Sequence, residues 1–449
     1  MKKSVFEVDL INGPIFKSII IFTIPLFISY LFQTLYNTAD TMIVGHILGD
    51  TSLAAIGASI AIYDLLIGFA NGIGSGLCIV VSRAFGSNDE KLLKKSVATA
   101  LIIGFISAIL ITIIGCLTLK PLLILLNTPD EILEEAYGYI FIITLFTIVM
   151  FGFNLASSLL RAIGDSLMPL IFLIFASLLN IGLDIYFIKD LNMGINGAAI
   201  ATAIAQGVSC LLCFIYIFLK KKILIPNKDD FKFDKALYLD MLGQGYSMGL
   251  MGCVVSIGSV ILQYGINDLG TEIITAHTAA RKVYSLLMIP IIALSLSTPV
   301  FVGQNAGANK YERIKKGINS MVIFSIISSL VLFIITFLFS DKIVEFVSGS
   351  SNPIVLDYAY RYCIVSSAFF GVLGTLLVSR CALQGLGSKV LPLVSSLIEC
   401  VGKIIFCFIF IPMFKYEAVI WCEPIIWVIM TIQLVISLYN HPAIKKGSN

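Results

Sequence analysis

Residues 72–97 read GIGSGLCIVVSRAFGSNDEKLLKKSV, and residues 293–318 read ALSLSTPVFVGQNAGANKYERIKKGI. Laid together without a gap, at an offset of 221, they match Gly86 with Gly307, Asn88 with Asn309, Lys94 with Lys315 and Lys95 with Lys316. The same offset brings Leu48-Gly49 onto Leu269-Gly270 and Ala55 onto Ala276. Further along, an offset of 223 pairs Leu160, Gly164, Pro169, Leu170, Phe187 and Ile188 with Leu383, Gly387, Pro392, Leu393, Phe410 and Ile411. Three blocks at nearly one spacing make an internal repeat, the strongest single statement a sequence makes about its architecture. Each block ends a helix, turns, and restarts on basic residues, and the turn glycines Gly86 and Gly307 are expected to supply the positive φ that such an elbow needs.

What lies between the blocks is apolar. Of 449 residues, 58% are hydrophobic and 13% charged, about half the charge a water-wetted surface carries. Windows of about 20 apolar residues, enough to cross a hydrocarbon core, recur at 17–47, 53–81, 96–118, 137–160, 167–188, 195–219, 240–266, 274–300, 317–339, 358–382, 390–413 and 417–439. The fold class is therefore an all-α integral membrane protein of twelve transmembrane helices. The first apolar segment is too long for a signal peptide, contains Pro25 and Asp40, and is read as a retained first span.

Residues 1–222 form an N-lobe of spans 1–6, 223–235 a polar cytoplasmic linker, and 236–449 a C-lobe of spans 7–12. Six spans per half return the chain to its starting side. The halves are thus parallel repeats, two six-helix bundles related by a pseudo-two-fold axis along the membrane normal. With the N-terminus inside, inner segments hold 22 Lys and Arg, Arg161 and Arg380 among them, and outer segments hold five. Arg281, Lys282 and Lys403 fall within spans. An inner excess places both termini in the cytoplasm of a bacterial cell. The ten cysteines sit almost wholly in apolar spans, without the paired spacing of a metal site or disulfide framework.

The run from Pro25 to Ser59, PLFISYLFQTLYNTADTMIVGHILGDTSLAAIGAS, resembles the first-helix signature of the multidrug and toxic compound extrusion (MATE) family, in particular its bacterial DinF-related branch. The RAFG elbow with Lys94-Lys95, RAIGDSLMP at 161–169 and GINGAAIAT at 194–202 resemble its later blocks. The resemblance covers nearly the whole chain. It implies cation-coupled export of drug-like, often cationic, organic molecules from two six-helix lobes, with no cofactor beyond the coupling ion.

An ionisable group inside a span costs roughly 2.5–3.5 kcal/mol by insertion scales, so each needs a reason. Gln33, Asn37 and Asp40 fall at i, i+4 and i+7 of the first span, with Tyr36 beside them; Asn180 and Asp184 are one turn apart in the fifth. Asp40 and Asp184 lie at similar depths, roughly 12 and 6 Å from one surface. Such a pair can share a proton or a sodium ion. In the family resembled, the first- and fifth-span acids, an Asn one turn before the latter and a sixth-span Thr form this site; here they are Asp40, Asp184, Asn180 and Thr202, which are also the positions for a bound Na⁺. Pro25, on the helix of Asp40, is the expected hinge, as the resemblance suggests.

The C-half has Ile261 and Cys407 where the N-half has Asp40 and Asp184. It carries Glu399 and Lys403 one turn apart in span 11, either a self-neutralising pair or a substrate contact, and Glu423 before Pro424, placed to bind a cationic substrate. Asp64, in mid-span 2, lines a cavity or pairs internally. Arg281 and Lys282 begin span 8; Arg281 faces the cavity or, on the safer reading, snorkels to the surface. His46 and His277 are read as ordinary residues near helix ends.

The expected partners are organic cations and the lipid bilayer, with no nucleic acid, and the expected state is a monomer. A flippase for a lipid-linked saccharide needs several cationic residues to hold pyrophosphate. Three intramembrane cations against Asp40, Asp64, Asp184, Glu399 and Glu423 favour cationic cargo instead. HExxH is absent, and the single GxSxG match, GYSMG at 245–249, lies inside the seventh apolar span and not at the strand-to-helix turn that the nucleophile motif needs, so the sequence favours no enzyme.

Overall fold

The computed structural model describes residues 7–126, 128–348 and 352–446, and among these all regular structure is helical. The first half contains α1 (Ile15–Leu48), α2 (Asp50–Gly86), α3 (Glu90–Leu125), α4 (Asp130–Leu145), α5 (Thr147–Ala162), α6 (Leu167–Ile185) and α7 (Gly194–Lys220). Next come α8 (Lys235–Asn267), α9 (Thr271–Leu287), α10 (Ile289–Gly307), α11 (Tyr311–Ser348), α12 (Pro353–Ala368) and α13 (Phe370–Gly385). The chain closes with α14 (Val390–Ile405), the short α15 (Ile411–Phe414), α16 (Tyr416–Asn440) and α17 (Pro442–Lys446). Ten helices are long and apolar enough to cross a membrane alone, and two bent pairs, α4–α5 and α12–α13, raise the number to twelve. This is a multi-pass membrane protein.

The repeat is written into the backbone. Eight of the nine positive-φ residues form four pairs at the sequence offsets: Gly49 with Gly270, Asn88 with Asn309, Gly164 with Gly387, and Asn192 with Lys415. At the first elbow the expectation fails in detail. Gly86 and Gly307 close α2 and α10, and the left-handed step falls on Asn88 (φ 58°) and Asn309 (φ 55°). Asparagine tolerates that region because its short amide bonds locally. The broken spans repeat too. α4 and α5 meet at Phe146 with a 47° bend, and α12 and α13 meet at Phe369 with a 51° bend. The eighth span, expected to be continuous, breaks at Met288, where Pro290 removes a backbone donor in the first turn of α10.

The chain divides into two compact units, but not in the linker. The first holds the chain before Pro14 together with Ile24–Cys253; the second holds Pro14–Thr23 and Val254 onward. The first half of α8 thus belongs with the N-half. Its Gln244–Gly249 stretch lies so close to α2 that a Cβ on Gly72 would stand 2.7 Å from Gly249 Cα, and one on Gly76 2.6 Å from the Gln244 carbonyl oxygen. The C-half has Ala293 and Ser297 at the matching places. Ion pairs from Arg83 to Asp240 (2.7 Å) and from Lys95 to Asp234 (2.8 Å) tie the linker side to the same unit. At the start of α1, Phe16 packs edge-on against Phe324, which places residues 14–23 with the second unit, and the division falls one residue before Pro25.

Lys221, just past α7, is buried and pairs with Glu7 (2.6 Å) and Asp165 (3.0 Å). Burial pushes its ammonium down, but the hydrogen bonds to Glu7 and Asp165 outweigh this and hold it above the usual lysine range.

Candidate functional site

In the first unit, α1, α6 and α7 bring four of the expected residues together. Asn180 and Asp184, one turn apart on α6, face inward and are almost wholly buried, as is Thr202 of α7. With its amide turned as its neighbours require, Asn180 donates from Nδ2 to Asp40 Oδ1 (3.2 Å) and accepts at Oδ1 from the Thr202 backbone N–H (3.3 Å). The Asp40 carboxyl lies within interaction range of the Asp184 carboxyl and of the Thr202 hydroxyl. Asp184 Oδ1 is buried without a partner, an acceptor left available for a proton or a cation. Immediately after Asp184 and Ile185 the helix widens into a π-turn over Tyr186–Asp190, a distortion frequent at functional sites.

Tyrosines wall this site. Tyr36 lies within interaction range of Thr202 and Asp40, and Tyr63 of α2 and Tyr139 of α4 lie within electrostatic reach of Asp40. The sequence reading named Tyr36 and missed the other two. The repeat held the signal, since Tyr63 and Tyr139 recur at the 221 and 223 offsets as Tyr284 and Tyr362. Gln33, Asn37 and Asp64 differ from the cluster in burial. They are exposed, and none makes a side-chain hydrogen bond or ion pair with the described residues. Asp64 therefore has no internal partner. His46 is exposed and bonds only the Met42 carbonyl of its own helix, as an ordinary residue does.

The second unit holds a charge network. Arg281 of α9 does not snorkel: its Nη1 donates to both carboxylate oxygens of Glu423 on α16 (3.0 Å each) and to the Tyr362 hydroxyl (3.3 Å). Tyr362 in turn donates to Glu423 Oε2 (3.1 Å). Glu423, expected to stand ready for a cationic substrate, is thus already engaged. Lys403 of α14 donates to Glu399 (2.9 Å) and Ser259 (3.0 Å) and lies 3.9 Å from Glu423. Arg380, counted above with the loops, lies inside α13, buried, 3.9 Å from Glu399. His277 is buried against the Tyr416 hydroxyl (3.3 Å).

The MatE family model matches this chain twice, over residues 25–186 and again over residues 248–409, in the register of the 223-residue repeat. The chain belongs to the MatE family. The two matches cover Asp40, Asn180 and Asp184 in the first half and Arg281, Arg380, Glu399 and Lys403 in the second, while Thr202 and Glu423 lie beyond their ends. Among curated relatives, the "Probable multidrug resistance protein YoeA" of Bacillus subtilis is 26% identical, aligned over 86% of this chain and 85% of its own. The "Multidrug export protein MepA" of Staphylococcus haemolyticus is 23% identical over 97% of each. The solved structure "Crystal structure of MATE in the bent conformation" superposes with a TM-score of 0.91 over the whole of both chains at 22% identity, a likeness of fold.

The MatE repeat puts the two sites at equivalent positions. Offsets of 221 and 223 carry Asn180 to Lys403, Tyr63 to Tyr284 and Tyr139 to Tyr362. They carry Asp40 to Ile261 and Asp184 to Cys407, and that contact persists in altered chemistry: the Cys407 thiol lies 3.2 Å from the Ile261 carbonyl oxygen.

Proposed function

We propose that this MatE protein is a secondary-active multidrug exporter of the bacterial cytoplasmic membrane. It admits a proton, or Na⁺, and expels amphipathic organic compounds, organic cations among them. The observation carrying this reading is the contact between Asp40 and Asp184. Two carboxyls this close in an apolar bundle repel each other when both are ionised, so the pair favours holding one shared proton. Loss of that proton leaves two carboxylates side by side in an apolar bundle, and the pair must separate, recruit a cation or reload. Asn180 and Thr202 hold Asp40 in register for this exchange. The same set offers Asp40, Asp184 Oδ1 and the Thr202 hydroxyl as oxygens for Na⁺, but the Asn180 NH₂ aimed at Asp40 suits a proton better.

The printed names of the relatives supply the multidrug part of the reading. Both termini are cytoplasmic by the Lys/Arg bias, the working unit is a monomer, and α1 bends at Pro25 as the acid pair loads. A lipid-linked saccharide flippase fits less well, since the first unit's site is built on the carboxylates Asp40 and Asp184, which repel a pyrophosphate. The test is efflux of ethidium from inverted vesicles under separately imposed pH and Na⁺ gradients. Efflux driven by a pH gradient alone is expected. Efflux indifferent to both gradients would reject secondary transport.

A further inference from the structure

The network of the second unit has more positive charge than its carboxylates neutralise. Arg281, Arg380 and Lys403 face Glu399 and Glu423, three cations to two anions, and the remaining polar neighbours Ser259, Tyr362 and Tyr284 are neutral hydroxyls. His277, against Tyr362, adds no negative charge. A buried cluster with one uncompensated cation is costly in a low-dielectric bundle unless an anion completes it.

Two further observations show where the anion belongs. Arg380 has 9% of its side-chain surface exposed, and its Nε and Nη2 have no hydrogen-bond partner, although buried guanidinium donors are ordinarily satisfied. At the other end of the network, Arg281 makes its bonds to Glu423 and Tyr362 through Nη1, while 41% of its side-chain surface stays accessible. A planar fork with one edge used and one edge open is the geometry that receives a carboxylate bidentately. Its surroundings are aromatic: the guanidinium lies 4.7 Å over the Tyr284 ring, which stacks on Trp427.

We propose that the charge network of the second unit is a cargo subsite for an acidic group, and that it takes the carboxylate of an aromatic organic acid or zwitterion on the open edge of Arg281. Arg380 and Lys403, joined to the network through Glu399 and Glu423, supply the unbalanced positive field. The subsite deepens the exporter reading and rests on it for calling the ligand cargo. It adds acids and zwitterions to the cationic cargo for which the first unit's carboxylates are suited.

One fluorophore tests this in three charge states: dansylglycine (anionic), dansylamide (neutral) and dansylcadaverine (cationic). Binding to the purified full chain is read by energy transfer from tryptophan, of which the chain has two. In Trp421→Phe, Trp427 beside the subsite is the sole donor. Dansylglycine is expected to bind about tenfold tighter than dansylamide, the scale of one charge-assisted pair. Arg380→Gln balances the network at two cations and two anions, and the preference for dansylglycine should fall to about threefold or less; Arg380→Lys, which keeps the charge, should restore it. If Arg380→Gln does not fold, Arg281→Lys asks the same question: it keeps an ion pair with Glu423 but loses the fork, and the preference should again fall.

Equal binding of dansylglycine and dansylamide by the wild type, or an undiminished preference in folded Arg380→Gln, overturns the proposal. So does displacement of dansylglycine by phosphatidylglycerol but not by phosphatidylcholine in nanodiscs, which assigns the subsite to a lipid phosphate. The readout is binding, so it can fail while gradient-driven ethidium efflux stands, and the reverse.

Discussion

The two halves of this protein hold the same cluster positions with opposite chemistry. In the first unit, Asp40, Asn180, Asp184 and Thr202 make a buried acid pair with two neutral partners. In the second, Ile261 and Cys407 replace the acids, and Lys403, the equivalent of Asn180, joins Arg281, Arg380, Glu399 and Glu423 in an ion-pair network. Two of the three wall tyrosines, Tyr63 and Tyr139, are kept as Tyr284 and Tyr362. Duplication thus preserved the polar pocket as a packing feature and let its charges diverge. An acid pair with one proton can exist in two charge states at modest cost, whereas an ion-pair network resists any change of charge because each loss strands a partner. The first suits coupling, and the second suits holding a fixed field.

The largest effect should come from the acid pair. Asp40→Asn keeps the shape and removes the titrating oxygen, so gradient-driven efflux should fall to background at normal expression, while Asp184→Asn leaves a residue of transport through Asp40 alone. Wild-type efflux in Asp40→Asn would end the assignment of coupling to the first unit.

The second effect is on stability and sharpens the claim that the network acts as a whole. Lys403→Met strands Glu399 and should cost about 3–5 kcal/mol, the figure for breaking a buried pair. Adding Glu399→Gln to Lys403→Met removes both members and should recover most of that loss in thermal unfolding of the purified protein. A double variant no better than the single one would mean that Lys403 acts through Glu423, not Glu399.

The smallest effect tests how alike the halves remain. Asn88→Ala and Asn309→Ala each put a Cβ-bearing residue without a local bond into a left-handed turn, at about 1 kcal/mol. The two losses should agree within about 0.5 kcal/mol, and a large difference would show that only one elbow is under tertiary constraint.

The sequence alone settled the repeat, the helical membrane class and the acid pair, because these depend on what a span is made of. A 20-residue apolar window needs no partner to be recognised, and an aspartate inside one is conspicuous against it. The offsets also carried the positive-φ pairs, since a turn is local, although Asn88 and Asn309 took the step expected of Gly86 and Gly307. Tertiary structure decided what depends on the partner of each charge. Arg281 looked free to snorkel because Glu423, 142 residues away, is not adjacent in the chain, and Arg380 looked like a loop cation because it stands near a helix end. Gln33, Asn37 and Asp64 share the polarity of the buried cluster but not its burial. The division of the chain inside α8 was likewise hidden, because it depends on glycines of α2 and α8 meeting backbone to backbone. A polar side chain in a membrane helix announces itself in sequence, but whether it is neutralised, left open or exposed is settled only by the helices packed around it.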